Sequence, residues 1–390
     1  MDSRDVSPWW HCLAGVATAV LLVGLLDIPH AEATPTVPLR AGPVPLRSGA
    51  AVYESSCATC HGADGRGVAP SQVGLDVALP DLTDCSFATR EPNSDWSAIV
   101  HRGGPARAFN EKMPAFGGVL SDDDIEAVIE HVRSFCPDDA WPRGELNFPR
   151  AIVTEKAFPE DEVLLSAGST LEGNVEISGK LILEKRVGAR GQVEAVIPYG
   201  VRKRDRETDG RGGWGEGVGD IALGAKYALF HSLASQSILS LAGEVILPTG
   251  DESDGYGKDT VIFEPFLAYG QGLGRVGFIQ LQSGVELPTK HANASNEGYG
   301  RLVLGHTFAR GRFGGDLSPM IELVAAGELD NMAAFDWDCI PEMQITLSRR
   351  KHIRANVGVL LPLTGASERP TQVLGYLLWD WFDGGLDEGW

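Results

Sequence analysis

Beyond residue 160 the chain is built on a period of two. Val175, Ile177, Leu181 and Leu183 alternate with Glu176, Ser178, Lys180 and Glu184, and Ile353, Ala355, Val357, Val359 and Leu361 alternate with His352, Arg354, Asn356 and Gly358. Met343, Ile345 and Leu347 repeat the pattern against Glu342, Gln344, Thr346 and Ser348. A strand with one apolar and one polar face gives this alternation. Scanning onwards predicts roughly twelve strands, beginning near 163, 174, 190, 218, 235, 259, 274, 299, 317, 340, 352 and 370.

The connections alternate as well. Long polar segments follow the third, fifth, seventh and ninth strands: Gly200 to Gly217, Gly250 to Lys258, Lys290 to Gly298 and Glu328 to Asp338. His231 to Ala234, Gln271 to Leu273 and Arg349 to Lys351 are short turns. An even strand count with long loops on one side and short turns on the other is the mark of an outer-membrane barrel. Val245 to Thr249, Val285 to Thr289 and Val359 to Pro362 echo one another at the ends of odd-numbered strands, on one side of the membrane.

A soluble β-sandwich or lipocalin-like barrel would alternate too, with its apolar face inward. Inward-pointing Glu244, Glu264, Glu286 and Glu322 suit a wet lumen and favour the membrane reading. Tyr227, Tyr269, Trp379 and Trp381 stand near strand ends, where they form aromatic girdles or ordinary packing.

Ahead of the strands the period changes. Ser121 caps a helix with Asp122, Asp123 and Asp124 in its first turn, and Ile125, Val128, Ile129 and Val132 form its buried stripe. Ala50 to Ser56 predicts a second short helix, and Trp96 to Arg102 an amphipathic third.

At the start of the chain, Leu13 to Leu26 has the length of a signal-peptide core and Ala31-Glu32-Ala33 offers a cleavage site, so residues 1–33 read as a signal peptide; a retained anchor is the alternative. Asp2 and Asp5 outweigh Arg4, which departs from the usual positive start, and Cys12 lies on the wrong side of the apolar stretch for a lipid anchor. Residues 34–48 form a proline-rich linker, 49–136 a helical domain, 137–159 a second linker and 160–390 the barrel. The formal net charge of −20 would repel a polyphosphate, so no nucleic-acid partner is expected.

Cys57-Ala58-Thr59-Cys60-His61 is the spacing that attaches haem c: two thiols within reach of both vinyl groups and a histidine beneath the iron. A zinc half-site would need a second Cys/His pair nearby, and a thioredoxin-like pair a preceding strand. Neither context is present. Met113, in Lys112-Met113-Pro114-Ala115-Phe116, is the candidate sixth ligand; His101 is its rival. Cys85 and Cys136 make a candidate disulfide in an oxidising compartment, against the alternative of two buried thiols. The sequence pattern assigns Cys339 no partner or role.

The run from Gly49 to about Phe135 resembles the class I cytochrome c family: a helix leading into Cys57 to His61, a Met-Pro-x-Phe loop and a final helix. Val218 to Tyr227, with Leu247 to Asp251, resembles barrel proteins assigned to phenol-degradation pathways, a resemblance that implies an outer-membrane seat and passage of small molecules. In architecture the chain is also similar to the fused cytochrome-porins of iron-oxidising bacteria, whose barrels are larger. Trp390 departs from the barrel assembly signal, because Asp383 to Gly389 separates it from the last strand.

One covalently attached haem c with both axial positions filled leaves no site for substrate, so electron transfer is expected rather than catalysis. The partners expected are outer-membrane lipid, soluble periplasmic redox proteins and an external electron donor or acceptor. Both chain ends then lie in the periplasm, with external access to the haem through the pore. The alternatives are an outer-membrane solute transporter with an accessory cytochrome, or a soluble periplasmic cytochrome with a β-sandwich.

Overall fold

A computed structural model describes residues 47–76, 78–172, 176–204, 213–309, 315–329 and 335–389. The expected signal peptide, most of the first linker, the tip of the Gly200–Gly217 loop and Trp390 lie outside the described residues. No helix among those described is long and apolar enough to cross a membrane, which says nothing about crossing by strands. The chain divides into a helical unit ending at Gly144 and a second unit from Glu145 onwards.

In the helical unit α1 is Gly49–Ser56, α2 Ala58–His61, α3 Pro70–Val73, α4 Cys85–Ala88, α5 Asn93–Arg102 and α6 Asp122–Arg133. The first and last helices cross at Gly49. A Cβ there would stand 2.0 Å from the carbonyl oxygen of Ala127, so only glycine permits the approach. Val52, Tyr53, Ile125, Val128, Ile129 and Val132 close the core, in the predicted stripe. Ser121 and Asp124 form a capping box. Arg47 then donates to both oxygens of the Asp124 carboxylate, from Nη2 at 2.8 Å and from Nε at 3.3 Å. Arg133 ties α6 to α5: its Nε donates to Asn93 at 2.9 Å, and its guanidinium lies 4.5 Å over the Trp96 ring.

The second unit is a closed antiparallel barrel. Its strands are β1 Glu162–Thr170, β2 Glu176–Val187, β3 Gly191–Arg204, β4 Gly213–Val218, β5 Ile221–Ser232, β6 Ser237–Leu247 and β7 Ile262–Leu273. There follow β8 Gly277–Pro288, β9 Glu297–His306, β10 Phe308–Ala309, β11 Asp316–Glu328, β12 Asp336–Thr346, β13 Ile353–Pro362 and β14 Gln372–Asp380. β4 and β5 pair successive parts of β3, and β9 and β10 successive parts of β11. The ring therefore has twelve staves, closed where β1 pairs with β14 from Glu162↔Asp380 to Thr170↔Gln372. The strands depart from the expected list at two breaks, Thr307 between β9 and β10, and Gly219 and Asp220 between β4 and β5, with β4 lying largely in the segment read as a loop. At the second break the Asp220 carboxylate accepts from Gly250 N and Lys258 N at 2.9 and 2.8 Å.

Burial decides between the membrane barrel and the soluble alternatives. Leu183, Val193, Leu223, Leu241, Leu267, Leu281, Leu304, Val357 and Leu377 are exposed on the outside, while Glu184, Gln192, Glu194, Lys226, Gln280, Glu322, Glu342 and Asn356 are buried inside. A soluble sandwich hides its apolar face; this ring displays it.

The second expected linker needs correction. From Leu146 onwards the segment read as 137–159 does not lie free but fills the barrel, with Leu146, Ala151, Ala157 and Phe158 fully buried. It has no regular strand, so wall side chains must satisfy its backbone. Ile152 N donates to Glu342 at 3.0 Å, Val153 N to Glu322 at 3.1 Å, Glu155 N to Gln282 at 3.0 Å and Glu160 N to Gln192 at 2.8 Å. The Arg150 carbonyl accepts from Tyr376 at 2.5 Å, and the Ala157 carbonyl from Ser240 at 2.5 Å. The Arg150 guanidinium meets both Glu184 oxygens at 2.8 and 2.9 Å. Phe148 stacks on Phe278 with ring centroids 5.7 Å apart. The pore expected from the sequence is thus occupied by the chain's own residues.

Candidate functional site

Cys57 closes α1 and opens α2, so the two thiols and His61 fall on one tight turn: Cys60 N and His61 N both donate to the Cys57 carbonyl, at 3.1 and 2.9 Å. The chain then doubles back, with Gly67 N on the His61 carbonyl at 2.8 Å and Val68 N on the Cys60 carbonyl at 2.9 Å. The Tyr53 hydroxyl donates to the Gly62 carbonyl at 2.8 Å, fixing this turn to α1. Burial pushes the Tyr53 hydroxyl up to about 12, so it stays a donor.

Cys57 and Cys60 are both free thiols, half-buried. Burial, and next the neighbouring Cys60, push the Cys57 thiol up to about 11. Burial also lowers the pKa of His61, which keeps the imidazole neutral as iron ligation requires. Its Nδ1 is buried and has no protein hydrogen-bond partner, so no protein hydrogen bond at that nitrogen fixes the orientation of the ring. Two unpaired thiols beside a neutral, unpinned imidazole fit a covalently attached haem.

Met113 sits half-buried in a loop folded back on the end of α5. Gly104 N donates to the Met113 carbonyl at 3.0 Å and Phe116 N to the Val100 carbonyl at 2.9 Å. Gly103 has φ 80° and would place a Cβ 2.8 Å from the Met113 carbonyl oxygen, so glycine is required where the loop turns. The loop is pinned at its far side by a buried ion pair, Arg107 to Asp95 at 2.6 Å, which the sequence reading missed. The Lys112 ammonium donates to the Gly74 carbonyl, bringing the residue before Met113 to the segment that follows the Cys-His turn. The rival His101 is exposed at its own position on α5, its ring against Gly117. Cys85 and Cys136 are joined in a disulfide with Cα atoms 5.3 Å apart.

The family model for cytochrome C oxidase, cbb3-type, subunit III matches residues 44–132. A cytochrome c6 of Euglena gracilis is 33% identical over 84 residues, covering 22% of this chain and 85% of that protein. Through its helical unit, the chain belongs to the cytochrome c family. The cytochrome is also 35% identical over 105 residues to the thiosulfate dehydrogenase of Stutzerimonas stutzeri (strain A1501). That match covers 26% of this chain and 31% of the enzyme, so this cytochrome spans less than a third of that relative's length. Its barrel is similar to the outer membrane channel from Pseudomonas putida F1, with 13% identity and a TM-score of 0.42 over 60% of this chain and 98% of that one.

Proposed function

We propose that the protein is a mono-haem electron carrier fixed at the outer membrane by a barrel that its own chain fills. The observation that carries this reading is the Cys57–Cys60–His61 turn with both thiols free, in a chain whose second unit exposes apolar side chains around a charged lumen. When bound, haem c supplies a one-electron iron couple. Cys57 and Cys60 would hold it through thioethers, with His61 and Met113 as axial ligands. A thioether ligand from Met113 would raise the potential of that couple, and His61 with Met113 would leave the iron no place for substrate. Tyr53 and the Arg107–Asp95 pair keep the two ligand loops in place before and after electron exchange. The cytochrome unit faces the periplasm in this reading, where soluble redox proteins are its partners. Transport of small solutes is disfavoured by residues 146–160 packed within the lumen.

Purified full-length protein in detergent tests this. One c-type haem per chain, rapid one-electron exchange with a soluble c-type cytochrome and no carbon monoxide binding at the reduced iron are expected. Turnover of thiosulfate, or ready carbon monoxide binding, would make the protein an enzyme with an open iron site instead.

A further inference from the structure

Inward carboxylates of the barrel face one another in several cross-strand runs. Following cross-strand partners, Asp380 faces Glu162, Glu184 faces Glu194, Glu194 faces Gly224, Gly224 faces Glu244 and Glu244 faces Glu264. Further round, Glu286 faces Glu297, and Glu297 faces Glu328. Like charges directly opposite one another destabilise a sheet, so these carboxylates are relieved by protons or by cations beside them.

Around Glu162 and Glu184 the chain supplies cations. Arg150 meets Glu184 at 2.8 Å, and Lys156 meets Glu162 at 2.8 Å and also pairs with Glu160. Beyond Glu184 the filling segment contributes a third acid rather than a base. One oxygen each from Glu155, Glu194 and Glu244 lie within 4.8 Å of one another. Glu194 is only 5% exposed, yet its Oε1 has no hydrogen-bond partner, and neither has the buried Oε2 of Glu155. Gly224 makes the room: a Cβ there would stand 2.4 Å from Glu194 Oε1. The ammonium of Lys226 is 4.0 Å from Glu155 Oε2 and donates to the Lys156 carbonyl at 2.8 Å. Lys226, the ammonium nearest Glu155, is thus already engaged, and no cation among the described residues is hydrogen-bonded to Glu194 Oε1 or Glu155 Oε2, while Lys180 and Arg301 act on Glu244 through space.

We infer that Glu155, Glu194 and Glu244 bind one hard divalent cation, of the calcium, magnesium or manganese class, which fastens the lumen-filling segment to the barrel wall. Oxygen-only donors select that class over the softer transition metals, and two carboxylate oxygens without a hydrogen-bond partner, on Glu194 and Glu155, suit a hard dication. A separate cavity at the strand ends is lined by Glu297, Glu328, Asp336 and Asp338 with Arg369, which pairs with Asp338 at 2.7 Å.

Manganese(II) titrated into full-length holoprotein in detergent, with the free ion followed by electron paramagnetic resonance, tests the site. One equivalent should disappear from the free signal, and calcium should return it. Glu194→Gln with Glu244→Gln should weaken binding by about a hundredfold, because affinity follows the number of carboxylate ligands. Asp380→Asn, in the acid cluster already served by Lys156, should leave binding unchanged. Glu155→Gln, which alters only the filling segment, gives the same reading if the double variant does not fold, as judged by heat-dependent gel migration. A wild-type protein that leaves all manganese free overturns the site. So does a folded Glu155→Gln or double variant that binds as tightly as wild type, or loss of binding in Asp380→Asn alone.

Discussion

Met113→Ala should abolish the weak near-infrared sulfur-to-iron band of the oxidised protein, whereas His101→Ala should leave it intact. The opposite pattern would transfer the sixth position to His101. A second expectation at this scale concerns acid. Arg47, followed by Ser121, holds the Asp124 carboxyl at about 2, below its ordinary 3.8. A depressed carboxyl stabilises the folded state fully above its ordinary value and loses that contribution as the pH falls through about 2. Unfolding of the holoprotein followed by haem circular dichroism should therefore steepen with acid below pH 3.8 in wild type and less so in Asp124→Asn. The Cys57 to His61 turn was legible in the sequence because covalent attachment fixes both residue type and spacing. Arg107 was not, because its buried partner Asp95 is reached only when the ligand loop folds back on α5.

Elements were legible wherever one face is buried and the other is not. The stripe of α6 and the alternation of the barrel strands both follow from that division, so their positions agree with the sequence pattern to within a few residues. The lumen-filling segment has no such division. It is fixed through its backbone by side chains such as Glu322 and Glu342, more than 160 residues away, and no local period records those bonds. Glu322→Gln with Glu342→Gln should loosen the segment, and planar-bilayer recordings should then show channel openings that the wild-type barrel lacks. Equal conductance in both would mean that the segment does not close the lumen. In the helical unit, Cys85→Ser with Cys136→Ser should cost about 2–4 kcal/mol by removing a cross-link between distant points of the chain. Denaturant unfolding of the oxidised and doubly substituted proteins measures the difference.

At the scale of the whole molecule, the two units divide the chemistry. The helical unit presents two thiols, a neutral imidazole and a tethered methionine loop, while the barrel exposes its apolar side chains and keeps its charges inside. The ring displays a band of apolar side chains that water would drive to aggregate and lipid would cover. The reading of a carrier anchored at the outer membrane therefore stands or falls on where the haem is found. Cells expressing the full chain should be fractionated without detergent and the fractions stained for covalent haem. A single haem-stained band of full length is expected in the outer-membrane fraction, retained through high-salt and alkaline washes and shifting on heating as folded barrels do. A haem-stained full-length protein in the soluble fraction would contradict that reading.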